Sequence, residues 1–105
     1  MSRRGRDPSA PLVRALLADA AAAGCRASAE SSEAADWSSA TFVGARHRLV
    51  LSAPHGPALS HWLAGLSSAR LALPHALVGE LRVDRVEQSG TRRRIALSAL
   101  TIEAA

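Results

Sequence analysis

In this chain of 105 residues, apolar residues at a helical spacing are followed by apolar residues in strict alternation, and this sequence of two patterns occurs twice. Apolar positions three and four apart line one side of a helix, whereas alternating positions line one side of a strand. The pattern predicts the order helix, strand, strand, helix, strand, strand. Each helix has one apolar stripe to bury, so we predict an α+β fold in two layers, with both helices on one face of a four-stranded antiparallel sheet.

The first helix is predicted to begin after Ser9 and to end at Gly24. Ser9 can cap the helix, Pro11 suits its first turn, and Gly24 can adopt the left-handed conformation that follows a helix. Its apolar side consists of Leu12, Val13, Leu16, Leu17, Ala20 and Ala23. The second helix is predicted to open at Gly56-Pro57, with His61 in solvent. Its stripe consists of Leu59, Trp62, Leu63 and Leu66.

The first pair of strands is predicted at residues 25–30 and 40–51, joined by the polar segment 31–38. Alternation in the second of these strands puts His47 with Leu49 and Leu51 on the core face. Arg46 and Arg48 then point to the opposite face. The run Arg-His-Arg is therefore predicted to be divided by the sheet, with His47 hydrogen-bonded to backbone, and not to form one site.

The second pair of strands is predicted to turn through the three-residue loop 88–90, with Gly90 left-handed. This register places Val83 opposite Ile95 and Asp84 opposite Arg94. A pairing of Asp84 with Ile95 would contradict it.

The open face of the sheet is predicted to carry the function. Several of its side chains are more apolar than a fully solvated face requires, which favours an assembly domain that binds a protein partner or forms a homodimer. The predicted interface consists of Phe42, Arg46, Arg48, Val50, Val78, Arg82 and Leu100.

Binding to nucleic acid is the first alternative. The formal net charge is +4, but all 13 basic residues are Arg, and residues 8–105 have an excess of only two positive charges. The arginines that could contact phosphates are Arg46, Arg48, Arg82, Arg92, Arg93 and Arg94. Single-strand readers add exposed aromatic side chains for base stacking, and Phe42 is the single candidate here.

Catalysis is the least favoured class, because the sequence holds no recognisable nucleophile and base, phosphate loop or carboxylate pair. The four histidines lack metal-ligand spacing, and we predict no metal and no cofactor. A small-ligand or metal site that uses His47 and His75 stays as a second alternative. The single Cys25 is predicted to be a buried apolar residue.

The domain organisation is predicted to be one domain, residues 9–105, preceded by a flexible Arg-rich arm, residues 1–8. No apolar run approaches the length needed to cross a membrane. The arm and the apolar run after it loosely match a signal peptide, although Arg14 and Asp19 interrupt the run and favour an amphipathic helix. We therefore expect a cytoplasmic protein, in keeping with its lone cysteine.

Overall fold

Two helices cover one face of a four-stranded antiparallel sheet. Helix α1 spans Ala10–Ala22 and α2 spans Pro57–Leu66. The strands are β1 (Ser28–Ser38), β2 (Val43–Pro54), β3 (Ala76–Ser89) and β4 (Arg92–Glu103), and their order in the sheet is β1-β2-β4-β3. Both helices bury their stripes in one cluster with the inner faces of β2 and β4. The predicted α+β class, element order and two-layer arrangement are confirmed.

The computed structural model describes residues 8–103. The predicted arm lies outside these residues, apart from Pro8. Neither helix of the described range is long and apolar enough to cross a membrane.

Helix α1 has the predicted ends, but Ser9 has a different role there. Its side chain makes no cap hydrogen bond and instead contacts the ring of His47. At the other end Gly24 has a φ of 82°, and the amide of Cys25 donates to the carbonyl of Ala20 at 2.8 Å. This is the Schellman motif, in which a glycine in the left-handed conformation allows the last carbonyls of the helix to accept hydrogen bonds from the amides that follow.

Helix α2 is tied to α1 by its tryptophan. Trp62 is buried, and its indole Nε1–H donates to a carboxylate oxygen of Asp19 at 2.9 Å. A tryptophan contributes a large apolar area to a core only when its N–H also has a partner. The predicted stripe is confirmed, with Leu59 and Leu66 buried and His61 exposed.

Strand β1 contradicts the prediction for the first hairpin. The polar segment 31–38 was expected to be a loop, but it is most of β1, and it pairs with β2 from Ser28 opposite Ser52 to Ser38 opposite Val43. An edge strand needs a partner on one side only, so β2 provides its backbone hydrogen bonds while its polar side chains stay in water. The connecting loop is residues 39–42, closed by a hydrogen bond of 2.8 Å from the Ser39 amide to the Phe42 carbonyl.

The predicted register of the β3–β4 hairpin is also wrong. Ser89 pairs with Arg92, so the turn contains two residues, and Val86 instead of Val83 lies opposite Ile95. Gly90 is left-handed as predicted, with a φ of 65°. The two-residue turn does not mix the faces because β3 has two bulges, one between Val78 and Glu80 and one between Val83 and Arg85. Each bulge adds a residue to one strand and reverses its alternation.

Candidate interaction surface and terminal cavity

His47 lies inside the core and connects three elements. Its side chain is buried, with Nδ1 at 2.8 Å from Oγ of Ser9 and Nε2 at 2.9 Å from Oγ1 of Thr101. A hydroxyl can donate or accept, so both ring nitrogens have a partner in either neutral tautomer. The predicted inward orientation is confirmed, and the two ring nitrogens contact side-chain hydroxyls where the sequence predicts a backbone partner. The contacts fix the start of α1 against β2 and β4.

The open face of the sheet has an apolar row at one end. The strand registers place Trp37 opposite Gly44, Gly44 opposite Ile102, and Ile102 opposite Leu77. The row thus crosses all four strands. Leu77 is 66% exposed, the largest exposure of any large apolar side chain in residues 8–103. We call these four residues the apolar row.

Gly44 is the position in the apolar row where neighbouring groups come closest to the backbone. A Cβ atom there would collide with the carbonyl oxygen of Thr101 and would lie 3.1 Å from Nε1 of Trp37. The glycine therefore allows β4 and the indole to approach the backbone of β2 closely. The same Nε1 is buried and has no hydrogen-bond partner within residues 8–103.

The middle of the open face is a charged groove of about 590 Å³. Arg46 and Arg48 are exposed there and form no ion pair within the described part of the chain. Arg82, on the far wall, lies 3.5 Å from Glu80 and 4.0 Å from Asp84. The β3 wall is therefore largely neutralised by its own carboxylates, whereas the two β2 arginines are available to an acidic group.

The groove brings together five of the seven residues that the sequence predicted as an interface. It is lined by Arg46, Arg48, Val50, Arg82 and Leu100. Phe42 lies outside the strands, in the 39–42 loop, and is 51% exposed. Val78 corrects the prediction: it pairs with Thr101 and packs against the core on the helix side, because the adjacent bulge reverses the alternation of β3.

The six arginines proposed to contact phosphates do not form one surface. Arg92 donates to Oγ of Ser52 at 2.7 Å, and Arg94 pairs with Glu30 at 2.8 Å. Arg93 alternates with these two and lies on the helix-facing row, with its Nε buried and without a partner in the described residues. Only Arg46, Arg48 and Arg82 share the groove.

A second concavity lies on the helix side, where α1 begins, and we call it the terminal cavity. Its volume is about 330 Å³. Its lining includes His47 and His75, the two residues of the small-ligand or metal alternative, together with Asp36 and Glu103. Within residues 8–103, however, no three His, Cys, Asp or Glu side chains are grouped closely enough to hold a metal ion.

Cys25 is buried in the core cluster, and its predicted role as an apolar residue is confirmed. Burial raises the pKa of its thiol above the ordinary 9.0, although the positive charge of Arg92 acts in the opposite direction. The neutral thiol is therefore favoured, and with it poor reactivity as a nucleophile.

Sequence reasoning missed the residues that give both surfaces their character. Trp37 and Asp36 lie in the segment for which the sequence predicts a loop, and the alternation of Leu77 with Leu81 and Val83 predicts a core position that Leu77 does not have. One signal was present: the last four residues of the segment, Ala35 to Ser38, alternate between apolar and polar, as in a strand with one apolar side. The position of Leu77 depends on the bulge at Gly79, which no local pattern indicates.

Comparison with known proteins adds evidence on the fold. No protein-family model matches the chain, and no curated protein matches its sequence. Among solved structures, the chain is similar to a chain from the virion of a native gene transfer agent (GTA) particle. The TM-score is 0.57 at 19% identity, over 92% of this chain and 97% of the other. At this identity the likeness shows a shared fold over nearly the full length of both chains.

Proposed function

We propose that the protein is a non-enzymatic assembly subunit that binds another protein, first of all a second copy of itself, through the open face of its sheet. The observation that carries the proposal is the apolar row, which crosses four strands and ends at the exposed Leu77. Leu77 is exposed, and Trp37 and Ile102 are half-buried. Apolar area of this kind favours burial against a partner, because burial removes it from water.

The groove beside the apolar row supports the same proposal. An interface usually has an apolar centre and a polar rim, with arginine enriched. The apolar row would form the apolar part of the interface at one end of the sheet, and Arg46 and Arg48, which lack ion partners in the described residues, would form its polar part beside the row. Acidic side chains of a partner could pair with these arginines and set its orientation.

The structural comparison is compatible with an assembly role. The chain that this protein resembles is part of a virion particle, and a virion is assembled from protein subunits. We propose by analogy that the present chain also works within a larger particle or complex. Fold likeness alone does not determine function, so the proposal depends mainly on the surface.

The test compares two variants by light scattering and native mass spectrometry over a range of protein concentrations. Leu77→Glu puts a charge at the exposed end of the apolar row and should shift the protein towards monomer. Val43→Glu is the matched control, because Val43 is 52% exposed near the same end of the sheet but alternates onto the other face. A wild-type protein that stays monomeric at every concentration would refute self-association, and equal effects of the two changes would refute the assignment to this face.

Nucleic-acid binding is less well supported than protein binding. The groove intersperses its arginines with Glu33, Glu80 and Asp84, and these carboxylates would repel phosphates. Salt dependence distinguishes protein binding from nucleic-acid binding. An affinity for generic DNA or RNA that falls steeply with ionic strength would favour nucleic-acid binding. We expect no binding at ~50 mM salt, where phosphate contacts are strong.

A further inference from the structure

The terminal cavity has a chemistry of its own, separate from the open face. Its walls include apolar side chains from the start of α1 and from the connection before β3, namely Leu12, Pro11, Leu73 and Pro74. Its volume of about 330 Å³ lies near the lower end of the range of ligand pockets in proteins, roughly 300–1,000 Å³. It can therefore accept one small group.

Two carboxylates give this apolar cavity a negative charge. Asp36 comes from β1 and Glu103 from β4, so they reach the cavity from different strands. Neither forms an ion pair or hydrogen bond within residues 8–103. Both residues are exposed, so a cation that enters the cavity from solvent can reach their carboxylates.

A buried hydrogen-bond network holds one wall of the cavity in place. Nε2 of His47 contacts Oγ1 of Thr101 at 2.9 Å, and Oγ of Ser9 contacts Nδ1 of the same ring. The cavity therefore has one rigid side, fixed by a buried side-chain network that crosses α1, β2 and β4. A preformed wall lowers the entropic cost of binding.

We propose that the terminal cavity binds an arginine side chain presented by another polypeptide. The aliphatic stem of arginine would pack against Pro11 and Leu73, and the guanidinium would pair with Asp36 and Glu103. Arginine fits because it combines an apolar stem with a planar cation that can donate to carboxylates on two sides. The site lies on the helix side, so it does not depend on the function proposed for the open face.

The test uses nuclear magnetic resonance of the full chain with three probes. The first is the peptide acetyl-Gly-Arg-Gly-amide, the second is the same peptide with neutral citrulline in place of arginine, and the third is free butylguanidinium. We expect saturable shifts at Asp36, Ala45, Ala76 and Glu103 with the arginine peptide. Affinity should be at least about tenfold weaker for the citrulline peptide, a difference of ~1.4 kcal/mol.

Variants locate the site. Asp36→Asn combined with Glu103→Gln should reduce affinity for the arginine peptide by about tenfold or more. Glu33→Gln is the matched control, since Glu33 is also an acid of β1 but lines the open-face groove, and it should bind as the wild type does. Thermal unfolding of each variant checks that the fold is retained.

Four results would overturn the proposal. Equal binding of the citrulline peptide would show an apolar pocket without selectivity for charge, and absence of saturable shifts would show no site. Binding of butylguanidinium but not of the arginine peptide would show a small-molecule site. Finally, tighter peptide binding after Arg3, Arg4 and Arg6 are changed to Gln would show that the chain's own arginines occupy the cavity.

Discussion

The hydroxyl of Ser9 lies 2.8 Å from Nδ1 of His47, across 38 positions of sequence, and both residues are buried. This contact replaces the helix cap that the sequence predicts for Ser9. The chain thus uses a serine at the start of α1 to satisfy a histidine of the sheet core, where an unpaired ring nitrogen would be costly.

Ser9→Ala should lower the free energy of unfolding by ~1–3 kcal/mol, because it removes a partner of a buried ring nitrogen. Urea unfolding at neutral pH measures the change. Ser60→Ala is the control, since the Ser60 hydroxyl is exposed and makes one long contact, at 3.5 Å, with the Gly56 carbonyl. That variant should stay within about 0.5 kcal/mol of the wild type. Equal losses in both variants would contradict the structural role of the Ser9–His47 contact.

Gly44→Ala should be strongly destabilising, by ~2 kcal/mol or more, because the new Cβ collides with the backbone oxygen of Thr101. Thermal unfolding measures the stability of this variant and of the control Gly65→Ala in α2, where no atom lies within 4 Å of the added Cβ. The second change should stabilise the protein by about 0.5–1 kcal/mol, since alanine is the better helix former. A neutral Gly44→Ala would refute the close approach of β4 to β2.

Cys25 should make stability depend on pH at the alkaline end. Burial raises the pKa of its thiol in the folded state above the ordinary 9.0, so the folded protein holds this proton more tightly than the unfolded chain. The contribution of the thiol is complete below pH 9.0 and is lost as the pH rises through the folded pKa. Urea unfolding at increasing pH should show this decline in the wild type and a smaller one in Cys25→Ala. Identical slopes would show that the thiol does not contribute.

The ion pair of Arg94 and Glu30, at 2.8 Å, joins β4 to the bulge of β1 but is partly exposed. A double-mutant cycle with Glu30→Gln and Arg94→Gln should give a coupling of only ~0.2–1 kcal/mol, because water screens the charges. The coupling should shrink as salt is added. A salt-independent coupling would indicate that the pair is shielded from solvent.

The sequence was sufficient wherever apolar side chains repeat with one period. Both helices follow this rule, and so does β2, in which His47, Leu49 and Leu51 face the core while Arg46 and Arg48 face away. In such segments the burial of one face determines the secondary structure, and the spacing of the apolar residues therefore predicts that structure.

Sequence reasoning failed where backbone pairing decides the structure. Strand β1 has few apolar residues, and it is a strand because the edge of β2 is available to it. In β3 the bulges after Val78 and Val83 reverse the alternation, so a period of two cannot be extrapolated through them. The apolar row and the terminal cavity both include residues from these strands, which is why their composition was not predicted.

The strand order β1-β2-β4-β3 has a consequence for the integrity of the molecule. The middle of the sheet is the seam between β2 and β4, one strand from each half of the chain, paired from Gly44–Ile102 to Pro54–Arg92. A proteolytic cut between α2 and β3 would leave this seam closed, and the nicked halves should stay together. We expect a separately expressed half to dimerise through its bare inner strand, or to aggregate, instead of persisting as a stable monomer.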